Sequence, residues 1–218
     1  MKFPVLAIDP PVPYAGWTGY PASKQYTLMT WDDLNALGPL IRDVTTDDAV
    51  LFLWICPPLL VETLAMVQAW GWQYKTKAFT WCKLYPTGTN FFVGMGYWTM
   101  ANTEDVWLCT RGKPQRRNKD VAQLLATLEQ PDTAAVIAPN VRHSQKPEAV
   151  QDRIERLLAG PYLELFARRQ RPGWTCLGNE VDGLDIRESL TRLAADQPLP
   201  CVDSLAHPSF LSLLDEVA

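Results

Sequence analysis

The sequence predicts an α/β protein, a parallel or mixed β-sheet covered by helices on both faces. Three observations carry this expectation. Strand-length apolar runs alternate with helical stretches through most of the chain. One run, AVLFLWIC at residues 49–56, is apolar almost throughout, as a strand buried on both faces must be. Two of the helical stretches end at a glycine, Gly71 and Gly160, shortly before the next strand, which is where helices commonly stop.

Taken in order, residues 3–9 read as a buried strand. Residues 10–29 are rich in proline, glycine and aromatics and form a long loop, of a length that usually signals a functional segment. Thr30 followed by Asp33 has the pattern of an N-cap with an acid at the third helical position, and starts a short helix through about Leu37. After the strand at 49–56, PPLLVETLAMVQAWG opens on prolines and closes at Gly71 as a helix. YKTKAFTWCK is a strand, followed by a glycine-rich loop to about Tyr97. EDVWLCTRG is another strand, closing at Gly112. Residues 113–132 are polar and at best partly helical. AAVIAP is a short strand, KPEAVQDRIERLLAG an amphipathic helix, YLELFAR the next strand, and a helix spans about Asp185 to Ala195. A single domain over residues 1–190 is expected, with 191–218 a tail in which PSFLSLLDEVA is a candidate short helix.

The 218 residues suffice for one α/β domain with a proper core. No apolar run approaches the roughly 20 residues that span a bilayer. MKFPVLAIDPP lacks the apolar core and cleavage site of a secretory signal. The five cysteines (Cys56, Cys82, Cys109, Cys176, Cys201) are odd in number and widely spaced, with no CxxC and no paired Cys/His spacing. That argues against a disulfide framework or a metal site and for a reduced, cytoplasmic protein without membrane association. The net charge of −4 argues mildly against nucleic acid, but charge is unevenly placed. TRGKPQRRNKD holds Arg111, Lys113, Arg116, Arg117 and Lys119 against one acid, and reads either as a solvated loop or as a phosphate contact. There is no GxGxxG fingerprint and no P-loop.

VLAIDPPVPY, residues 5–14, carries the most chemistry. Proline fixes φ, lacks an N–H, and forces the preceding residue to be extended. Asp9 and Pro10 are therefore both held extended, with a carboxylate and carbonyls aimed in set directions. Such a stiff, acceptor-rich ledge at the end of a strand suits a donor such as an amine. In sheets of this class ligands bind beyond the carboxyl ends of strands, where Asp9, Lys83 and Arg168 are expected.

These landmarks, in this order, resemble the MT-A seventy-kilodalton family of S-adenosylmethionine-dependent adenine-N6 methyltransferases. The carrying residues are AIDPPVPY, QYTLMTWDDL, LFLWICPP, the WGW and WCK pair, GYWTMANTEDVWLCTRG, HSQKPEAVQDRIERL and YLELFARRQRPGWTCLGNEVDG, together about residues 3–185. The resemblance implies the class I, Rossmann-like methyltransferase sheet in permuted order, with the catalytic motif early and the cofactor-binding strand late. It implies that Asp9 and the Pro10 carbonyl, stiffened by Pro11, accept from the exocyclic amine of adenine. It implies S-adenosylmethionine held by Asp9, Lys146, Glu164 and Arg168, with Asn179 and Glu180 reading the cofactor's adenine. Gln170 stands where relatives offer His, and Glu180 where they more often have Gln, an acceptor that cannot donate. For the target base it implies Tyr26 and Glu104, and Lys83 is expected at the strand end nearby. Val12 departs from the pattern: relatives usually place there an aromatic that stacks on the base, so roughly 1–3 kcal/mol of stacking is missing unless Tyr14 or Trp17 supplies it. Arg116 and Arg117 are the candidate phosphate contacts.

The expected substrate is nucleic acid, DNA in preference to RNA, because the chain lacks the extra domains of messenger-RNA writers. The alternatives are an RNA adenosine methyltransferase and an inactive nucleic-acid-binding partner of an active subunit. A homodimer and a partner subunit are both open. Trp54, Trp70 and Trp107 fall in strand or helix patterns and are expected in the core.

Overall fold

The computed structural model describes residues 1–14, 28–85, 90–94, 96, 98–128 and 146–201. The strand expected at AAVIAP and the helix expected at PSFLSLLDEVA lie outside these. Seven strands form one sheet: β1 (Phe3–Ile8), β2 (Thr45–Ile55), β3 (Gln73–Leu84), β4 (Thr103–Arg111), β5 (Leu124–Leu128), β6 (Tyr162–Leu165) and β7 (Trp174–Leu177), in the spatial order β5-β3-β4-β2-β1-β6-β7. β1 pairs in parallel with both β2 and β6, and β6 with β7. β4 is antiparallel to its neighbours β2 and β3, while β3 and β5 are parallel. The sheet is mixed, and strand order reverses about β1. That is the topological switch point at which an open α/β sheet leaves a crevice outside its carboxyl edge.

Helices cover both faces. On one side lie α1 (Trp31–Asn35), α2 (Leu37–Val44), α3 (Leu60–Ala69) and α5 (Ile186–Ala194). Leu34, Leu37, Ile41, Met66, Val67 and Leu190 pack there on Leu6, Ile8, Leu51 and Leu53. On the other side α4 (Glu148–Leu157) lays Val150 and Ile154 on Val5, Ala7, Val50, Phe52 and Cys176. Alternation along β1 and β2 divides their side chains between the two cores. The near-continuous apolar run in β2 follows from burial on both faces.

The expected cap at Thr30 forms. Its hydroxyl oxygen accepts from the Asp33 N–H at 3.1 Å and the hydroxyl donates to the Asp33 carboxylate at 2.7 Å. The helix expected to end near Leu37 instead restarts as α2, because Pro39 falls in the first turn, where a missing N–H leaves no intrahelical bond unmade. Gly38 gives the room for this. A Cβ there would stand 2.9 Å from the Trp70 indole, whose N–H donates to the Leu34 carbonyl at 2.9 Å. Trp70 and Trp107 are buried as expected. The segment read as polar and partly helical contains β5, whose Leu125 is buried against Phe79 and Trp81. Five residues with one polar member give too short a pattern to distinguish a strand. Among the described residues no helix is long and apolar enough to cross a membrane.

Beyond β6 and β7 the backbone is tight. Phe166 takes φ +59°, a conformation bulky L-residues rarely adopt. Ala167 N–H then donates to the Leu177 carbonyl at 2.9 Å. A Cβ on Gly178 would stand 2.3 Å from the Ala167 carbonyl oxygen and 2.9 Å from its nitrogen. Both are backbone atoms that cannot step aside cheaply. Gly178→Ala is expected to destabilise the protein by about 2 kcal/mol or more, measured by urea denaturation. A midpoint equal to that of the parent would refute this account of the close approach.

Candidate active site at the carboxyl edge of the sheet

Asp9 follows Ile8, which pairs with Leu53 of β2 and Leu165 of β6. The prolines after it make the ledge read from the sequence. Val12 N–H donates to the Pro10 carbonyl at 2.8 Å, Tyr14 N–H to the Val12 carbonyl at 2.7 Å, and Met29 N–H to the Pro11 carbonyl at 2.9 Å. Successive three-residue turns and a tie to the residues before α1 thus fix the segment. Pro10 gives one lone pair to Val12 and keeps a second for an incoming donor. The half-buried Val12 side chain packs against the apolar core beneath α1 and α2.

Because β4 is antiparallel, its amino end meets the carboxyl ends of β2 and β3. The register brings Asp105 opposite Ile55 and Glu104 opposite Trp81. Lys83 is the next-to-last residue of β3, and Lys146 stands just before the first turn of α4. The Lys146 ammonium lies 3.2 Å from Asp9 Oδ2 and 3.0 Å from Glu104 Oε2, and the Lys83 ammonium lies 2.7 Å from Glu104 Oε1. The row Asp9–Lys146–Glu104–Lys83 alternates in sign. Aromatic faces floor it: Trp54 lies 5.0 Å from Lys146, and Trp81 the same distance from Lys83. Trp54, expected in the core, is only half-buried and belongs to this site. Its place at the end of β2, in line with Asp9, was the signal available in the sequence.

Burial raises the Asp9 carboxyl above its ordinary value, and Lys146 only partly opposes this. Burial would raise Glu104 as well, but Lys146 and Lys83 together overcome it and hold that carboxyl down to about 2. Burial disfavours the Lys146 ammonium, yet Asp9 and Glu104 outweigh it and raise Lys146 above the usual lysine range. Lys146 and Glu104 are therefore charged across the physiological range. Asp9 is the softer acid: among the described residues Lys146 is the cation in contact with it, and Arg168 acts more weakly from further off.

Further along the edge, Arg168 Nε donates to Glu180 Oε1 at 2.8 Å, so β6 and β7 are tied at the point where Asn179 and Glu180 reach the surface. Glu164 pairs in register with Ala7 and so shares the sheet face of Asp9. Gln170 is exposed. Trp17 and Tyr26 lie outside the described residues.

The structure does not bring Arg116 and Arg117 to this edge. Arg117 N–H donates to the carbonyl of Leu157, the last residue of α4, at 2.7 Å, and the Asn118 amide donates to the Arg156 carbonyl at 2.6 Å. The antiparallel course of β4 puts Arg111 opposite Ala49, at the amino end of β2. The basic loop therefore leaves from the edge opposite Asp9. Had β4 been parallel, the loop would have stood beside the site.

A family model described as MT-A70 matches residues 3–180. The chain belongs to the MT-A70 family. Its Rossmann-like α/β sheet accords with that membership. It is 29% identical over 202 residues to the Type II methyltransferase M.MunI of Mycoplasma sp, covering 83% of this chain and 78% of that protein. It is 27% identical over 190 residues to the N(6)-adenosine-methyltransferase catalytic subunit METTL3 of Homo sapiens, covering 85% of this chain but 29% of METTL3. A 69-residue stretch is 45% identical to the N(6)-adenine-specific methyltransferase METTL4 of Homo sapiens, covering 30% of this chain and 13% of METTL4. The chain thus spans less than a third of METTL3 and most of the Mycoplasma protein.

The charge row predicts how stability responds to acid. Glu104 is depressed from 4.5 to about 2, so its stabilisation is whole above the unfolded value and is lost as pH falls through that window. Asp9 is raised and acts in the opposite sense: the folded state takes up its proton first, and stability rises as pH falls towards the unfolded value. Urea midpoints of the parent are expected to fall between pH 4.5 and pH 2. Glu104→Gln should flatten that fall and Asp9→Asn should steepen it. Parallel profiles for all three proteins would show that the row does not titrate as described.

Proposed function

We propose that this protein transfers a methyl group from S-adenosylmethionine to the N6 amine of adenine in nucleic acid, with DNA as the substrate. The observation that carries the reading is Asp9, on its proline-stiffened ledge at the switch point of the sheet, held against Lys146 at 3.2 Å. The residues present fit the cofactor. Lys146 suits its carboxylate, Asp9 and Glu164 suit its positive charges, and among the described residues Glu164 has acceptor capacity that two 3.3 Å contacts from one amide address. Asn179, Glu180 and Arg168 stand at the surface end of β6 and β7, where the adenosine part would lie, with Gln170 nearby. When bound, S-adenosylmethionine supplies an electrophilic methyl on a sulfonium.

The protein's own part is orientation and charge. The amine of adenine is a poor nucleophile because its lone pair is delocalised into the ring. Asp9 and the second lone pair of the Pro10 carbonyl accept hydrogen bonds from its two N–H groups. They favour a tetrahedral nitrogen and hold it in one direction. The raised Asp9 carboxyl is a better proton acceptor than an ordinary aspartate, which suits it to the proton the methylated amine must lose. Glu104 and Lys83 line the base side of the row. The half-buried Val12 provides aliphatic contact in place of a stacking ring, and Tyr14 ends the same ledge.

DNA is proposed on the likeness to a protein named as a Type II methyltransferase, 29% identical over 83% of this chain. Val12 is the observation that favours a second reading, a nucleic-acid-binding partner without activity of its own, acting as a homodimer or beside an active subunit. The retained Asp9 with its paired Lys146 favours the first. Transfer of tritiated methyl to DNA and RNA oligomers decides between them. Incorporation into adenine-containing DNA is expected, with a loss of about 100-fold or more in Asp9→Ala. Lys146→Met is expected to raise the cofactor KM by at least about tenfold. Undiminished transfer by Asp9→Ala would sink the mechanism.

A further inference from the structure

Gln151 lies on α4, buried to 7% exposure. Its Nε2 stands 3.3 Å from both oxygens of Glu164, while its Oε1 is buried with no hydrogen-bond partner among the described residues. A buried acceptor without a partner is destabilising by itself, so this half of the amide does nothing for the fold. The groups facing Glu164 are Asp9 beyond β1, Arg169 and Arg171 after β6, Cys176 on β7 and Gln151 on α4. Arg171 is already engaged by Asp152 and Glu155, and Arg169 by Glu148. Glu164 is thus left with one amide as its hydrogen-bonding partner among the described residues, and with a second acid on the same face.

We propose that Gln151 is a positioning residue for cofactor binding, fixing the Glu164 carboxyl beside Asp9 and matching it in both protonation states. An amide presents an N–H donor to the ionised carboxylate and, turned over, a carbonyl acceptor to the neutral acid. Wherever Glu164 carries its proton, the second case pairs the Oε1 that otherwise has no partner among the described residues. Burial and the nearness of Asp9 raise the Glu164 carboxyl, against the Gln151 hydrogen bond. Arrival of the cofactor's positive charge favours the ionised form, and the proton passes to solvent. This inference rests on the methyltransferase reading of the same site.

The test is calorimetric binding of S-adenosylmethionine, without nucleic acid, to the parent, Gln151→Met and Gln151→Leu across a pH series, with thermal melting alongside. Both variants are expected to melt less than about 10 °C below the parent, because loss of the unpartnered oxygen offsets the donor withdrawn from Glu164. Both should bind about tenfold more weakly. Affinity in the parent should rise with pH as Glu164 ionises, and in the variants that rise should move to higher pH, since the donor that favours the carboxylate has been removed. At saturating cofactor, turnover should stay within about twofold of the parent. Binding within twofold of the parent with coincident pH profiles would overturn the proposal. So would a fall in melting temperature of about 10 °C or more in both variants, which would mark the amide as structural. Failure of the parent itself to bind would instead sink the methyltransferase reading.

Discussion

Lys146 lies between two carboxylates, and the rest of the site is arranged around that contact. Its ammonium has Asp9 on one side, Glu104 on the other and the face of Trp54 beneath. Removing a cation from water is expensive, and partners at 3.0 and 3.2 Å offset that expense only because both acids are themselves fixed. Asp9 is fixed by the prolines after it and Glu104 by the first residues of β4. Each charge in the row is therefore held by a different element, and the row is as rigid as the sheet edge carrying it. Glu104, with two cations, is the firm member. Asp9, with Lys146 as its contacting cation among the described residues, keeps the capacity to accept from a ligand.

The sheet supplies the geometry that lets so few residues do this. Order reverses about β1, so β2 and β6 flank it and their crossing helices diverge to opposite faces. The crevice that results opens over the residue after Ile8. Inserting β4 antiparallel between β2 and β3 turns a strand beginning, with its acid, towards that crevice, and sends the arginine-rich loop to the far edge. One reversal of direction thus sorts the acidic and basic loops of this half of the sheet.

Much of this was legible in the sequence, for identifiable reasons. Asp9 and the ledge were legible because two prolines constrain the backbone whatever surrounds it. The strand at 49–56, the helix at 148–157 and the cap at Thr30 were legible because hydrophobic period and capping chemistry are local. The direction of β4 was not, since apolar alternation reads the same in either direction. The site role of Trp54 was missed for a related reason: a tryptophan inside an apolar run looks like core until its register with the end of β1 is known. β5 was too short to show a period, and α2 was hidden by a Gly-Pro pair that usually ends a helix and here lies in a first turn. Gln151 carries no sequence signal, because a single amide on an amphipathic helix is ordinary until its burial and its neighbour are seen.

The pairing of β1 with β6 also bears on how the molecule comes into being. Leu6 lies beside Leu163, so one edge of an apolar strand made at the start of synthesis waits for a partner made roughly 150 residues later. At about 5–20 residues per second that is about 8–30 s on the ribosome. Over that interval β1 presents an unpaired, apolar edge of the kind that templates aggregation, and contacts of such sequence separation form slowly even in the released chain. The crevice beside Asp9 is closed by the last strands to be made, so an interrupted translation product carries the exposed edge and no site.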